Sequence, residues 1–150
     1  MVQALFLSLL ASALAQTPPA GWKVVKDAKE VCQIAVPADW ELLSESTGAA
    51  VLRDATNAIA VVTSQAGQDF KPLSDVLLKV VGVRKDKLFE NTARRVFYQE
   101  RISRHAEDPN AYSVSVPGKS GTCSCHITAL PGVPEETAKK IALSLGPAQP

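Results

Sequence analysis

The three cysteines are the residues of this 150-residue chain best suited to chemistry. Cys123 and Cys125 stand one residue apart in a strand-like run over residues 121–130, so they share the face that carries Ile127. Cys32 lies on the apolar face of its own strand. In an exported chain, three cysteines favour one disulfide and one remaining thiol. We predict a bridge from Cys32 to the cysteine strand, with Cys125 preferred to Cys123 because Cys125 lies closer to the apolar residues. The alternative is three buried thiols that pack as small apolar side chains.

A thiolate metal site is the second interpretation of the same residues. Cys32, Cys123 and Cys125 would suit Cu(I) or Zn, with His105 as the fourth ligand because His126 faces the other side of its strand. Haem attachment requires Cys-x-x-Cys-His, and the spacing here is one residue too short. We predict no metal and no cofactor, and a metal- or thiol-handling protein remains the alternative function.

No residue pattern indicates catalysis. The segment Gly118-Lys119-Ser120 resembles the end of a phosphate-binding loop, but position 113 holds Ser113 where the earlier glycine is required. It also leads into a strand, so we predict a hairpin turn there. His105 and His126 are predicted to face solvent, and the chain contains no Gly-x-Ser-x-Gly motif. We therefore predict that the protein is not an enzyme and has no catalytic residue.

The first fifteen residues have the layout of a secretory signal peptide. They carry no charged side chain, contain a mostly apolar run and end in Ala13-Leu14-Ala15, a small-x-small cleavage pattern. The apolar run of about a dozen residues is shorter than the ~20 that a membrane-spanning helix needs. We predict cleavage near Ala15 and export to the periplasm or the extracellular space. Residues 16–150 should form a single domain without an integral membrane span, with an ordered core over about 22–145.

The distribution of charge suggests a partner-facing surface. The formal net charge is only +1, which argues against a nucleic-acid-binding protein. Residues 84–104, however, contain seven Lys and Arg residues and only three acidic residues. We predict that Arg94, Arg95 and Arg101 lie on one long strand and dock an unknown, acidic protein partner. The alternative is a solvated face whose charges keep an exposed strand from pairing with other chains. The sequence gives no indication of oligomeric state.

Apolar periodicity predicts an α+β fold, an antiparallel β-sheet with helices packed on it. Strands are predicted over residues 22–25, 31–36, 49–53, 58–64, 93–103, 111–116 and 121–130. A helix over residues 72–83 is predicted to pack on the core through Leu73, Val76, Leu77, Val80 and Val81. A second helix, over residues 134–145, is predicted to bury Ala138, Ile141, Ala142 and Leu145.

These elements resemble the PsbP/Mog-type superfamily. The resemblance lies in the strand that ends in Ile34-Ala35-Val36-Pro37-Ala38-Asp39-Trp40, the hairpin that follows, the amphipathic helix and the terminal helix. It covers most of residues 22–145 and implies an α-β-α sandwich around an antiparallel sheet. Members include photosystem II accessory subunits, Ran-GTPase-binding proteins and many secreted bacterial proteins. Catalysis is not the shared property of the characterised branches, so the resemblance implies a binding or accessory module.

Overall fold

The computed structural model describes residues 17–46, 49–55, 58–100, 110–129 and 133–150. The predicted cleavage site near Ala15, as well as Arg101 and His105, lies outside these ranges. The described chain forms two antiparallel sheets and two α-helices, which confirms the α+β prediction. The elements are β1 (Trp22–Lys26), β2 (Cys32–Pro37), β3 (Glu41–Ser46), β4 (Ala49–Arg53), β5 (Ile59–Ala66), α1 (Asp75–Val81), β6 (Leu88–Asn91), β7 (Val96–Glu100), β8 (Asn110–Pro117), β9 (Gly121–Ala129), α2 (Glu135–Leu143) and β10 (Gly146–Pro147).

The larger sheet has seven strands in the order β3-β4-β5-β9-β8-β7-β6. The cysteine strand β9 lies at its centre and pairs with β5 on one side and β8 on the other. Side chains of β9 alternate as predicted, with Cys123, Cys125, Ile127 and Ala129 buried and the intervening residues half-buried. The β8–β9 connection is the predicted hairpin turn, in which the Gly118 N–H donates to the Gly121 carbonyl at 2.7 Å. A side chain at Gly121 would clash with the Gln65 carbonyl oxygen, so only glycine fits there.

The core lies between this sheet and a layer made by α2 and a small sheet of order β1-β2-β10. Helix α2 buries Ala138, Ile141 and Ala142 as predicted, and Leu145 just beyond it is 4% exposed. Trp40, which follows β2, is 3% exposed and belongs to the same cluster. The apolar-Pro-x-x-Trp segment therefore contributes directly to the core.

Three strands and the C-terminal tail were not predicted from the sequence. Strands β3 and β6 form the two edges of the large sheet, where short strands with polar or charged side chains are common. The ordered core also extends beyond residue 145. Strand β10 pairs with β2. The N–H of Ala148 then donates to the Val31 carbonyl at 2.8 Å, and Ala148 is 3% exposed.

The predicted long strand over residues 93–103 begins only at Val96. The Thr92 N–H donates to the Arg95 carbonyl at 2.9 Å, so Arg94 and Arg95 lie in the β6–β7 turn. Strand β7 itself lies one position inside the edge, between β6 and β8, and its first residues, Val96 and Phe97, are 4% and 3% exposed. The strand therefore lies near an edge of the sheet, with its first two residues buried and its last three half-buried.

Helix α1 departs most from the sequence prediction. It is capped at both ends, by the Ser74 hydroxyl, which accepts from the Leu77 N–H, and by Gly82 in the left-handed conformation at φ 73°. None of its residues is buried, so the predicted packing of its apolar stripe on the core is wrong. Within the described ranges there is no helix with the length and hydropathy needed to cross a membrane.

Candidate functional site

The disulfide joins Cys32 to Cys123, with their Cα atoms 5.6 Å apart. The bridge to the cysteine strand is as predicted, but the preference for Cys125 is wrong. Register gives the reason, since Ser64 of β5 pairs directly with Cys123, whereas Cys125 pairs with Val62 one step further along the sheet.

The Asp27 carboxylate links Cys32 to Ser64, the residue that pairs with Cys123. The Oδ1 atom of Asp27 accepts from the N–H groups of Val31 and Cys32 at 2.8 and 2.9 Å, and its Oδ2 atom accepts from the Ser64 hydroxyl at 2.6 Å. The carboxylate is only 2% exposed, and three donors satisfy it. The loop between β1 and β2 is thereby tied to the end of β5, which places the Cys32 sulfur over Cys123.

Cys125 is the remaining thiol and is buried on the core face of β9. Burial raises the pKa of this thiol to about 12, so it stays protonated at neutral pH. A protonated, buried thiol is a poor nucleophile and a poor metal ligand. In the part of the chain that the structure describes, no group of three or more His, Cys, Asp or Glu side chains is arranged to hold a metal ion.

His126 belongs to a polar cluster on the outer face of the large sheet, which sequence reasoning missed. Its Nδ1 atom lies 3.3 Å from Glu100 Oε1 and 3.5 Å from the Ser113 hydroxyl, which itself donates to the same carboxylate. The hydrogen bond with Glu100 raises the pKa of His126, and the same contact lowers the pKa of Glu100. The signal that could have revealed the cluster is the predicted hairpin turn between β8 and β9, because that turn places Ser113 opposite His126.

The cluster contains the residue types of a serine hydrolase but not the geometry. In such enzymes the nucleophile and the acid contact opposite nitrogens of the histidine. Here Ser113 and Glu100 both lie beside Nδ1, and Thr128 Oγ1 lies 3.4 Å from Nε2. The backbone around His126 is engaged in the ladders to β5 and β8, so its N–H groups do not form an oxyanion hole. The arrangement forms a partly exposed ion pair when His126 is protonated.

The arginines predicted to form one partner surface have different environments. Arg94 is exposed in the β6–β7 turn. Arg95 contacts Glu90 at 3.3 Å through Nη1 and donates through Nη2 to the Leu143 carbonyl, at the C-terminal end of α2, at 3.4 Å. Arg95 therefore has a structural partner on each side, and Arg101 lies outside the described residues. Docking of an acidic partner by these arginines stays a prediction.

Helix α1 presents the most exposed apolar side chains of the described chain. Val76 and Val80 are 69% and 77% exposed, and Leu77 and Val81 are 48% and 47% exposed. We call these four residues the α1 surface. The sequence signal was present, because the four residues form a stripe at helical spacing, whereas the polar side chains Asp75 and Lys79 share a separate, narrow face.

The segment before α1 fixes this surface to the outer side of the sheet. After β5 the chain runs across the large sheet, and the Gln68 carbonyl accepts from Thr122 of β9 at 2.8 Å. Leu73 is then bound twice by the Asn91 side chain of β6, with both hydrogen bonds at 2.9 Å. Beneath the segment lies a groove of about 340 Å³ whose lining includes Val96 and Tyr98. The apolar helix is thus held at a defined place by a well-anchored connection.

A second groove, of about 570 Å³, lies between the small sheet and the end of α2. Its lining includes Trp22, Val24, Ile34, Leu143 and Leu145. The groove is mainly apolar, and Val24 and Leu143 at its rim are 40% and 45% exposed. Both are less exposed than any of the α1 surface residues, so the groove is the weaker candidate for a docking site.

Comparison with known proteins shows the fold. The solution structure of cyanobacterial PsbP (CyanoP) from Synechocystis sp. PCC 6803 superposes with a TM-score of 0.56 at 13% identity, over 90% of this chain and 97% of that protein. A crystal structure from Bacteroides thetaiotaomicron superposes with a TM-score of 0.55 at 11% identity, over 86% of this chain. The fold is PsbP-like. The chain spans about half, 49%, of the Bacteroides protein. No protein-family model and no curated protein sequence matches it.

Proposed function

We propose that this protein is an exported, non-catalytic accessory module that attaches to a larger assembly through the α1 surface. The observation that carries the proposal is a capped helix with no buried residue and four aliphatic side chains that are 47–77% exposed. Helices this short are marginal in water, and in proteins they are stabilised mainly by packing of an apolar face. A contiguous exposed apolar patch is typical of an interaction site. A covering partner would supply the packing that the rest of the chain does not.

Export is supported by the buried Cys32–Cys123 disulfide, since such bonds persist mainly in oxidising compartments. The PsbP-like fold of CyanoP is consistent with an accessory role, although fold alone does not determine function. The predicted signal peptide would deliver the chain to such a compartment.

The cysteine geometry favours this function over metal or thiol handling. Two of the three sulfur atoms are consumed in a disulfide, and burial keeps the third, that of Cys125, protonated. A protein that binds a soft metal through thiolates would require all three to be reduced and accessible. In the His126 cluster, Ser113 lies beside the same histidine nitrogen as the Glu100 carboxylate, which is not the arrangement of a serine hydrolase and supports a non-catalytic role.

Site-specific photo-crosslinking in the exporting cell tests the docking surface. A photoreactive residue at Val80 should give a discrete adduct, with either a protein or a lipid, because this position would be covered by the partner. The matched control is Val24, an exposed apolar residue of β1 on a different surface. A third position, Arg94, tests the basic turn. Equal crosslinking at Val80 and Val24, or an adduct only at Arg94, would contradict the proposal.

A further inference from the structure

We infer that the α1 surface docks on an anionic lipid bilayer, an inference that rests on the proposed function and names the partner. The first observation is the charge around the helix. Residues 71–87 contain five Lys and Arg residues and two Asp residues, an excess of three positive charges in a chain whose total is +1. The basic residues flank the apolar side chains, with Lys71 before the helix, Lys79 within it and Arg84, Lys85 and Lys87 after it.

The composition of the surface favours lipid over a protein partner. Four of the five cations are lysines, and the exposed apolar side chains of α1 are all valine or leucine. Protein–protein interfaces are enriched in aromatic residues, Met and Arg, and they are depleted in Lys. In an interfacial helix, by contrast, aliphatic side chains enter the boundary between headgroups and acyl chains. Long lysine side chains can then extend to the phosphates.

The shape of the site also fits a bilayer. Every residue of α1 is exposed or half-exposed. Of the four residues of the α1 surface, only Leu77 also lines the groove beneath the segment, so Val76, Val80 and Val81 face outward and can meet a flat surface. Asp75 lies at its N-terminal end, where the helix dipole stabilises an acidic group, and Asp86 is held by Arg84 in a two-point contact at 2.8 and 3.0 Å. The acids in this segment are thereby compensated locally. Lys71, Lys79 and Lys85 are exposed and remain available to anionic headgroups, whereas Lys87 is half-buried and interacts with Glu135.

Two features together would set the affinity. Insertion of four aliphatic side chains supplies an apolar term, and the flanking lysines supply a salt-sensitive electrostatic term. The protein would bind the surface reversibly, since the helix is far shorter than a membrane-spanning segment.

The test is co-flotation of the full-length chain with vesicles of equal parts phosphatidylcholine and phosphatidylglycerol, compared with phosphatidylcholine alone. We expect binding to the anionic vesicles only, and weaker binding as salt is raised. Val76→Ser with Val80→Ser should weaken partition by about tenfold or more. The matched control is Val24→Ser with Leu42→Ser, which removes two exposed apolar side chains elsewhere and should leave partition unchanged.

A second pair of variants tests the charge. Lys79→Gln with Lys85→Gln should weaken partition by about tenfold or more at low salt, whereas Lys29→Gln with Lys140→Gln should change it little. Because all these side chains are exposed, an unchanged melting temperature should accompany each result.

Three results would overturn the inference. The first is failure to bind anionic vesicles, and the second is equal binding to neutral ones. The third is a dimer in sedimentation that Val76→Ser with Val80→Ser converts to a monomer, because a second copy would then be the occupant. If vesicles fail but crosslinking at Val80 still gives a discrete protein adduct, the lipid inference alone is wrong. If both experiments fail, the proposed function is wrong as well.

Discussion

The Ser64 hydroxyl donates to the buried carboxylate of Asp27 at 2.6 Å, and this contact joins the two sheets at the disulfide. Asp27 directly follows β1, at the start of the loop that leads to β2, and Ser64 of β5 pairs in register with Cys123 of β9. The same carboxylate accepts the N–H of Cys32. One side chain therefore sets both partners of the bridge, and this explains why Cys32 meets Cys123 and not Cys125.

Replacing Asp27 should destabilise the protein in a graded way. Asp27→Ala removes the acceptor of two backbone N–H groups and of Ser64, and we expect a loss of about 3 kcal/mol in the free energy of unfolding. Asp27→Asn keeps one acceptor oxygen for the backbone, and its amide can donate to the serine hydroxyl, so its cost should be about half as large. Urea denaturation measures both, with exposed Asp39→Asn as the control. Equal stability of all three variants would show that Asp27 does not organise the loop.

The disulfide should account for a large part of the stability. Cys32 and Cys123 are 91 residues apart in sequence, and the chain-entropy model values a loop of this size at roughly 4–5 kcal/mol. Cys32→Ser or Cys123→Ser should therefore lower the free energy of unfolding by several kcal/mol, whereas the conservative change Cys125→Ala should cost much less.

Mass spectrometry provides the direct check of the pairing. After alkylation of the unfolded, unreduced protein, the label should be on the Cys125 sulfur alone. A bridged peptide that links Cys32 through Cys125 would contradict the observed pairing.

Most of the core strands could be predicted because their side chains alternate between a buried and an exposed face. In β9, for example, the buried face of Cys123, Cys125 and Ile127 follows directly from the sequence. Pairing across strands could not be predicted in the same way. The choice of Cys123 depends on the register of β5 against β9 and on the Asp27 contact, both of which join residues far apart in the chain.

Helix α1 shows the opposite limit. Its C-terminal end was well marked, since Gly82 caps it as predicted, but the helix begins at Asp75 after the Ser74 cap and not at the predicted residue 72. The spacing of its apolar residues, however, predicts only that this face of the helix will be covered, and it does not say which molecule or which part of the chain covers it. The same Val76 and Val80 that would serve a core helix are exposed here. The periodic spacing identifies the apolar face of the helix, but it is the same whether that face meets the protein's own core or another molecule.

Arg95 and Arg94, although adjacent, should respond differently to substitution. Arg95 contacts both Glu90 and the Leu143 carbonyl at the C-terminal end of α2, where the helix dipole also stabilises a cation. We expect Arg95→Ala to lower the free energy of unfolding by about 1–2 kcal/mol and exposed Arg94→Ala to change it by less than about 0.5 kcal/mol. Thermal denaturation of the two variants measures the difference. Equal melting temperatures would mean that the Arg95 contacts add no stability.

The contact between His126 and Glu100 should make a small contribution to stability that depends on pH. The Glu100 carboxylate raises the pKa of His126, so this contribution is complete below the ordinary histidine pKa and is lost as pH rises through the folded-state pKa. The same contact lowers the pKa of Glu100, so stability is also lost as pH falls through that lower pKa. Both shifts describe one interaction and are counted once. The contribution is largest between about pH 4.5 and 6.5.

Its magnitude should be below about 1 kcal/mol, because the side chains of His126 and Glu100 are 44% and 29% exposed and solvent screens the pair. Glu100→Gln keeps the acceptor for Ser113 but removes the charge, so it should lower the pKa of His126 toward its ordinary value. An NMR titration of the His126 ring, assigned with His126→Gln, measures that pKa in the wild type and the variant. The unfolding free energies of the two proteins should then differ most near pH 5.5 and converge above the raised pKa of His126. If the ring titrates identically in both proteins, the carboxylate does not act on the histidine, and the cluster is only a set of neighbouring polar side chains.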